Sequence, residues 1–201
     1  MSKSRGLLVV FSGPSGSGKG TVLKEALKKS DDLCVSVSAT TRAPRDGEVD
    51  GVDYMFYSKE KFLELVSENG FLEWACFCEN YYGTPRAEIE HLLDLGKNVV
   101  LEIEVQGAMK IREKCPDAVL IFNLPPSMQE LKNRLVGRKT DAEDVINKRL
   151  ETAVWEISQA DKYDYVLVND VIEAAADTFL AILKGEKCNI ARNKKMLASY
   201  K

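Results

Sequence analysis

Five short apolar runs punctuate the chain: Leu7–Phe11, Cys34–Val37, Asn98–Ile103, Ala118–Asn123 and Tyr165–Val168. Their near-continuous hydrophobicity is that of strands covered on both faces, as in a parallel sheet. Between them apolar positions recur at helical spacing over Gly20–Lys29, Val105–Lys114 and Val171–Lys184. Strand alternating with helix predicts an α/β fold with crossover helices. Two stretches interrupt the alternation. Residues 40–95 carry the turn residues Pro44, Gly47 and Gly51, a short aromatic strand at Tyr54–Tyr57, a helix from Lys59 and a strand at Phe71–Cys78. They predict an inserted, partly antiparallel subdomain. Residues 126–160 follow Pro125-Pro126, which stops the preceding strand, and predict a charged helical pair rich in arginine.

Composition narrows the chemistry. A chain of 201 residues, 45% hydrophobic, can bury one core with a small insertion. A formal net charge of −3 gives no general attraction to nucleic acid or to an anionic membrane. The five cysteines, Cys34, Cys76, Cys78, Cys115 and Cys188, are odd in number, and Cys76-x-Cys78 lacks metal-ligand spacing. Reduced thiols in a cytoplasmic protein are expected. The apolar run at Leu7–Phe11 is too short for a signal sequence or a membrane span. His91 is the single histidine, which leaves Ser-His and Cys-His nucleophilic chemistry without support. Lys194 and Lys195 in the tail are expected to be a solvated end.

The strongest local motif follows the first strand. Gly13, Pro14, Ser15, Gly16, Ser17, Gly18 and Lys19 fit GxxxxGK, with an apolar strand before it and an amphipathic helix (Val22, Leu23, Ala26, Leu27) after it. Glycines let consecutive N–H groups turn inward around an anion, and the helix N-terminus adds partial positive charge. Lys19 is placed to reach the β- and γ-phosphates of a nucleoside triphosphate. The motif calls for Ser or Thr after the lysine, where this chain has Gly20. Thr21 comes one place later, rotated about 100° around the helix, and need not take over that role. No protein ligand to a metal is therefore assigned.

From Thr40 the chain reads Thr-Thr-Arg-Ala-Pro-Arg-Asp-Gly-Glu, then Gly51-Val-Asp-Tyr-Met-Phe. Glu73, Tyr82-Gly83-Thr84, Glu102-Ile-Glu104-x-Gln106-Gly107, Arg134-x-x-x-Arg138, Asn147-Lys-Arg149 and Val168-Asn169-Asp170 follow in order. Together with the phosphate loop, this series resembles the guanylate kinase family over nearly the whole chain. The resemblance implies a three-layer P-loop NTPase core with a parallel sheet (1–39, 96–125 and 161–201), an inserted GMP-binding subdomain (40–95) and a helical lid (126–160). It implies transfer of the γ-phosphoryl of ATP to GMP and to dGMP, with Mg²⁺ accompanying ATP; a monomer or weak homo-oligomer is expected.

By that resemblance ATP is bound by Gly13 through Thr21 with Asn169, and Lys19, Arg42, Arg134, Arg138 and Arg149 act on the phosphates in flight. GMP falls to Ser38, Arg42, Arg45, Tyr54, Glu73, Tyr82, Thr84, Glu102 and Glu104. The chemistry agrees with the assignment. Arginine forks suit phosphate oxygens. A carboxylate at Glu73 can accept from both N1–H and N2–H₂ of guanine, a donor pair that adenine lacks. On its strand Glu73 is either exposed or lines a cleft. Glu104 stands where the family usually has Asp. Glu102 ends a central strand, where it holds Mg²⁺ through water, orients the GMP ribose or phosphate, or is simply a charged strand end exposed to solvent.

Two other readings compete. A kinase for another monophosphate, such as AMP, can carry the same Gly-Ser-Gly-Lys-Gly-Thr string, so the loop does not separate the two. The Arg42 and Arg45 loop with Glu73 and Tyr82 favours GMP. A non-catalytic, peptide-binding relative of the family would tend to have a damaged loop, whereas Gly16, Gly18 and Lys19 are intact.

Overall fold

A computed structural model describes residues 5–77, 79–137 and 143–200. In chain order it contains β1 (Leu8–Ser12), α1 (Lys19–Lys29), β2 (Leu33–Val35), β3 (Ala39–Thr40), β4 (Met55–Phe56), α2 (Lys59–Ser67), β5 (Phe71–Phe77), β6 (Asn80–Pro85) and α3 (Arg86–Asp94). Then come β7 (Asn98–Glu102), α4 (Val105–Lys114), β8 (Val119–Leu124), α5 (Met128–Gly137), α6 (Glu143–Ile157), β9 (Tyr165–Val168), α7 (Ile172–Lys187) and α8 (Lys194–Ala198). The parallel sheet has strand order β2-β7-β1-β8-β9, and a mixed sheet has the order β4-β3-β6-β5. The α/β class and the mixed insertion agree with the hydrophobic pattern.

The chain forms two compact units, one from Met1–Val10 and Cys34–Ala118, the other from Phe11–Leu33 and Val119–Lys201. In the first, Val99, Val100 and Leu101 of β7 are fully buried, as are Ala108 and Ile111 of α4. The mixed sheet has its own small core, in which Ala39, Phe62 and Phe71 are buried and Met55, Tyr57 and Tyr81 pack around them. Phe62 and Phe71 stack with centroids 4.3 Å apart. β3 pairs antiparallel with β6, setting Ala39 opposite Gly83 and Thr40 opposite Tyr82. β5 and β6 also run antiparallel, with a register shift between Phe71 and Trp74. Lys110 of α4 donates to the Trp74 carbonyl at 2.8 Å and ties that helix to β5.

Three elements of this unit had no clear sequence signal, β3, β6 and α3. Glycine weakens a strand pattern, and β6 contains Gly83 for a packing reason. A Cβ there would stand 2.9 Å from Phe71 Cδ1 and 3.0 Å from Phe62 Cζ.

In the second unit β8 and β9 pair in parallel, from Ile121 opposite Tyr165 to Leu124 opposite Val168. α1 lies against α7, where Lys29 pairs with Asp177 at 2.7 Å. Phe11 meets Phe179 edge to face at 5.1 Å. Leu131, Leu135, Ile146 and Ala153 close a separate small core between α5 and α6. Among the described residues no helix is long and apolar enough to cross a membrane.

Candidate functional site

The glycine-rich loop lies wholly in the second unit. β1 ends at Ser12, and the chain turns at Gly13 with φ +143°, against the backbone of β8. A Cβ on Gly13 would come within 2.2 Å of the Asn123 carbonyl oxygen. At the other end Gly18 precedes α1 with φ +85°, and a Cβ there would sit 2.4 Å from Asn169 Nδ2. Both positions are left-handed backbone that L side chains rarely adopt, and both also lack the room for one.

Gly18 offers α1 no side-chain cap, and the first turn of the helix holds no acidic residue. A helix N-terminus presents N–H groups without intrahelical acceptors and a positive dipole end. Here neither a capping side chain nor an acidic residue in the first turn offsets them, so an anion is favoured. Lys19 adds a full charge; its Nζ folds over the loop and donates to the carbonyls of Gly13 at 2.6 Å and Pro14 at 3.2 Å.

The loop is braced from behind. The Ser17 carbonyl accepts from Asn123 Nδ2 at 2.9 Å, Asn169 Nδ2 at 2.9 Å and Arg134 Nη1 at 3.4 Å. Asn123 Nδ2 also reaches Ser17 Oγ at 3.0 Å. Arg134 spans the arrangement, donating from Nη2 to the Asn169 carbonyl at 3.0 Å and from Nε to Glu130 at 2.8 Å. Glu130 is held below the usual carboxylate range by that contact with Arg134.

Two further clusters belong to the first unit. In the loop after β3, Arg42 Nη2 donates to both oxygens of Glu48, at 2.8 and 2.9 Å, and Nη1 to the Ala43 carbonyl at 2.7 Å. Its guanidinium lies 5.5 Å from the Tyr54 ring centroid and 5.8 Å from that of Phe56. Tyr54 and Tyr82 meet edge to face at 6.3 Å. Hydrogen bonding to Glu48, with a smaller contribution from Tyr82, raises the pKa of Arg42 further. Arg42, Tyr54 and Tyr82 therefore converge as one cationic, hydroxyl-bearing cluster. The exposed Arg45 donates its backbone N–H to Glu48 at 2.7 Å. Asp53 accepts from Val49 N–H at 2.8 Å and Asp50 from Phe56 N–H at 2.9 Å, which fixes the loop that carries Tyr54.

Glu73 lies on β5 at the register shift, with only 8% of its surface exposed. It is turned to the interior, not to the solvent face. The Thr84 hydroxyl donates to Oε1 at 2.7 Å. Burial pushes the Glu73 carboxyl above the ordinary carboxylate range, while Thr84 and the charges of Lys110 and Lys114 pull it part of the way back. Gly107 of α4 leaves space beside Oε2, since a Cβ there would stand 3.5 Å from it. Ser38 is half-buried just before β3, and its carbonyl accepts Met55 N–H at 2.9 Å. Glu102 at the end of β7 and Glu104 before α4 are exposed.

The structure thus joins Arg42 with Tyr54 and Tyr82, Glu73 with Thr84, and Lys19, Arg134 and Asn169 with the loop from Gly13 to Gly18. Gly20 and Thr21 lie in the first turn of α1, with Thr21 exposed. Arg149 is half-buried on α6. Arg138 lies outside the described residues, as does Cys78. Glu48 and Asn123 belong to these clusters without having been singled out from the sequence, and Gly107 entered there only as part of a motif. Asn123 was hidden inside an apolar run, although an Asn ending a buried strand beside a phosphate loop is itself a signal.

Comparison with known proteins places this geometry among relatives. The sequence profile described as guanylate kinase matches residues 5–186. The guanylate kinase of Clostridium perfringens (strain SM101 / Type A) is 51% identical over 198 residues, covering 98% of this chain and 92% of the relative. That of Halalkalibacterium halodurans is 52% identical over 192 residues, covering 96% and 94%. The crystal structure of guanylate kinase from Anaplasma phagocytophilum superposes with a TM-score of 0.74 at 39% identity, covering 94% of this chain and 90% of that one.

Proposed function

Because the chain belongs to the guanylate kinase family, and so is a kinase that moves the γ-phosphoryl group of ATP to GMP, we propose that its clusters divide the two substrates. Gly13 through Thr21, backed by Asn169, bind the ATP phosphates. Ser38, Arg42, Arg45, Tyr54, Glu73, Tyr82 and Thr84 bind GMP. On this reading 1–39, 96–125 and 161–201 form the nucleotide core, 40–95 the GMP-binding insertion and 126–160 the lid.

The observation that carries the base assignment is the interior carboxylate of Glu73. Thr84 takes Oε1, and among the described residues no donor is recorded on Oε2. Guanine presents N1–H and N2–H₂ on one edge and can supply donors to such a group. Adenine presents an acceptor at N1 and would leave the buried carboxylate facing a lone pair, a costly arrangement in a dry site.

Phosphoryl transfer needs positioning and charge neutralisation more than covalent help. Arg42 and Arg45, with the hydroxyls of Tyr54 and Tyr82, hold the GMP phosphate as nucleophile. That phosphate is largely dianionic at neutral pH, its second pKa being about 6, so no general base is required. Lys19 and the α1 N-terminus bind the β- and γ-phosphates. Arg134, Arg138 and Arg149 offset the charge on the group in flight.

Mg²⁺ would travel with ATP. Among the described residues no three His, Cys, Asp or Glu side chains gather into a metal cage. Mg²⁺ keeps several waters and leans on substrate phosphates, and the hard carboxylate oxygens of the exposed Glu102 suit such an outer contact. Bound there it would neutralise charge on the phosphate oxygens. We assign the enzyme to the cytoplasm, where its substrates are, a reading supported by the free thiols of Cys34, Cys76, Cys115 and Cys188.

The test is ADP formation from Mg·ATP with GMP, AMP, UMP or dTMP offered in parallel. Turnover with GMP alone is expected. Turnover with AMP would overturn the role given to Glu73.

A further inference from the structure

We infer that Glu48 is the positioning residue of the GMP phosphate site, the group that sets Arg42 and the turn carrying Arg45 in place before the phosphate arrives. The inference rests on the assignment of Arg42 and Arg45 to the GMP phosphate.

Three contacts converge on this one carboxylate. Both of its oxygens accept from Arg42 Nη2, at 2.8 and 2.9 Å, and Oε2 also accepts the Arg45 backbone N–H at 2.7 Å. Glu48 N–H in turn donates to the Arg45 carbonyl at 3.0 Å, so the turn from Arg45 to Glu48 is closed by its backbone as well. The two side chains are largely covered, at 16% and 19% of their accessible surface. Most surface ion pairs are neither so enclosed nor so fully shared. Arg42 and Arg45, hydrogen bonding to the first before the second, hold the Glu48 carboxyl below the usual range, so it stays ionised through neutral pH.

A guanidinium carries five N–H groups. Glu48, the Ala43 carbonyl and Tyr82 do not exhaust those of Arg42. Glu48 and Ala43 grip the group from its own loop while the rings of Tyr54 and Phe56 flank it. An arginine otherwise free to sample many rotamers is thereby held ready, and the entropy of ordering it is spent during folding instead of during binding.

The rival account is electrostatic and has the opposite sign. An anion beside the phosphate site would compete for Arg42 and repel the incoming phosphate, so removing its charge would strengthen binding. The variant Glu48→Gln separates the two accounts. It keeps the length and one acceptor oxygen, but replaces the other oxygen with a donor that faces Arg42.

Steady-state kinetics of wild type, Glu48→Gln and Glu48→Asp are to be measured with GMP and ATP varied separately, alongside competition by inorganic phosphate against GMP. For Glu48→Gln we expect a rise of roughly tenfold in KM for GMP, the size of one lost charge-assisted bond. The KM for ATP should stay within twofold or so, phosphate competition should weaken in parallel, and Glu48→Asp should recover part of the loss. A KM for GMP that is unchanged or lower in Glu48→Gln, at an unaltered melting temperature, overturns the inference. Equal losses toward GMP and ATP overturn it too, as a purely structural role would give them. Absence of GMP turnover by the wild type would instead sink the functional reading on which it rests.

Discussion

Thr84 and Glu73 sit on neighbouring antiparallel strands and are joined by one hydrogen bond: the Thr84 hydroxyl donates to Glu73 Oε1 at 2.7 Å, inside the protein. Burial raises the pKa of that carboxyl, and the hydroxyl is the largest influence that lowers it. On the proposed base assignment guanine requires the ionised form. Guanosine, which has no phosphate to titrate, should therefore inhibit more strongly as pH rises through the raised pKa of Glu73. Thr84→Val removes the donor and should move that profile to higher pH. A guanosine Ki that does not change with pH on either side of the ordinary carboxylate range, in both proteins, would contradict base reading by an ionised Glu73.

Glu73→Gln should pull stability and binding in opposite directions. An acid whose pKa is raised by folding binds a proton in the folded state that the unfolded chain, titrating near 4.3, has lost. Stability therefore falls as pH rises from the ordinary carboxylate value to the raised one, and stays lower above it. A neutral glutamine escapes that loss, so its melting temperature should exceed the wild type's above this window and match it below. At the same time the variant should raise KM for GMP roughly ten- to hundredfold with little change for ATP, having left a guanine donor unpaired. Equal effects on both substrates would remove Glu73 from the guanine site.

Gly18→Ala should damage the ATP side selectively. The residue needs φ +85°, and its Cβ would press within 2.4 Å of Asn169 Nδ2. Left-handed backbone at a non-glycine residue costs about 1–3 kcal/mol, and Asn169 must also release the Ser17 carbonyl. Thermal denaturation should show that cost, and KM for ATP should rise while KM for GMP holds. A fully active variant would show that the loop tolerates another geometry.

Arg134→Lys tests whether a fork is needed beside the loop. The guanidinium reaches Glu130, Ser17 O and Asn169 O together, a span no single ammonium can match. We expect kcat/KM for ATP to fall roughly tenfold or more. Kinetics indistinguishable from wild type would leave Arg134 with neither a bracing nor a charge-neutralising role.

Gly83→Ala addresses the scaffold under the GMP cluster. The new methyl would meet Phe71, Phe62 and the Glu73 carbonyl at 2.9, 3.0 and 3.2 Å. Overpacking of this kind costs about 1–3 kcal/mol, readable as a lower urea midpoint. Since Tyr82 and Thr84 flank the site, KM for GMP should rise as well.

The hydrophobic pattern made most of the fold legible because a strand buried on both faces must be apolar. Tyr165–Val168 and Val105–Lys114 keep the bounds read from sequence, but β9 lies at the sheet edge with Val166 and Val168 exposed, so the two-face burial expected of that run does not hold there. β6 escaped because its tyrosines and Gly83 serve a half-buried mixed sheet with no clean alternation. At the site, glycine spacing exposed the phosphate loop, since its conformation restricts residue type directly. Glu48 and Asn123 were not legible, because each acts through a partner distant in sequence or set by a turn. Glu48 in isolation is one more solvated acid, and only the turn at Arg45 gives it two clients. Arg134 was read from the resemblance as a residue for phosphates; the fold adds that it is bonded to the loop's own backbone.

The bare start of α1 has a consequence for the protein's energetics. A helix whose N-terminus has no side-chain cap gains one when a ligand anion supplies it, and on the proposed assignment a triphosphate against Gly18 and Lys19 would do so. Nucleotide binding is then also a step of folding: the anion that the enzyme consumes secures the first turn that grips it. Amide exchange in that turn should slow with nucleotide concentration according to the mass-action law for a ligand that binds only the native state, while the buried strands of the sheet exchange at rates indifferent to it. Saturation with substrate and rigidity of the loop become two readings of one equilibrium.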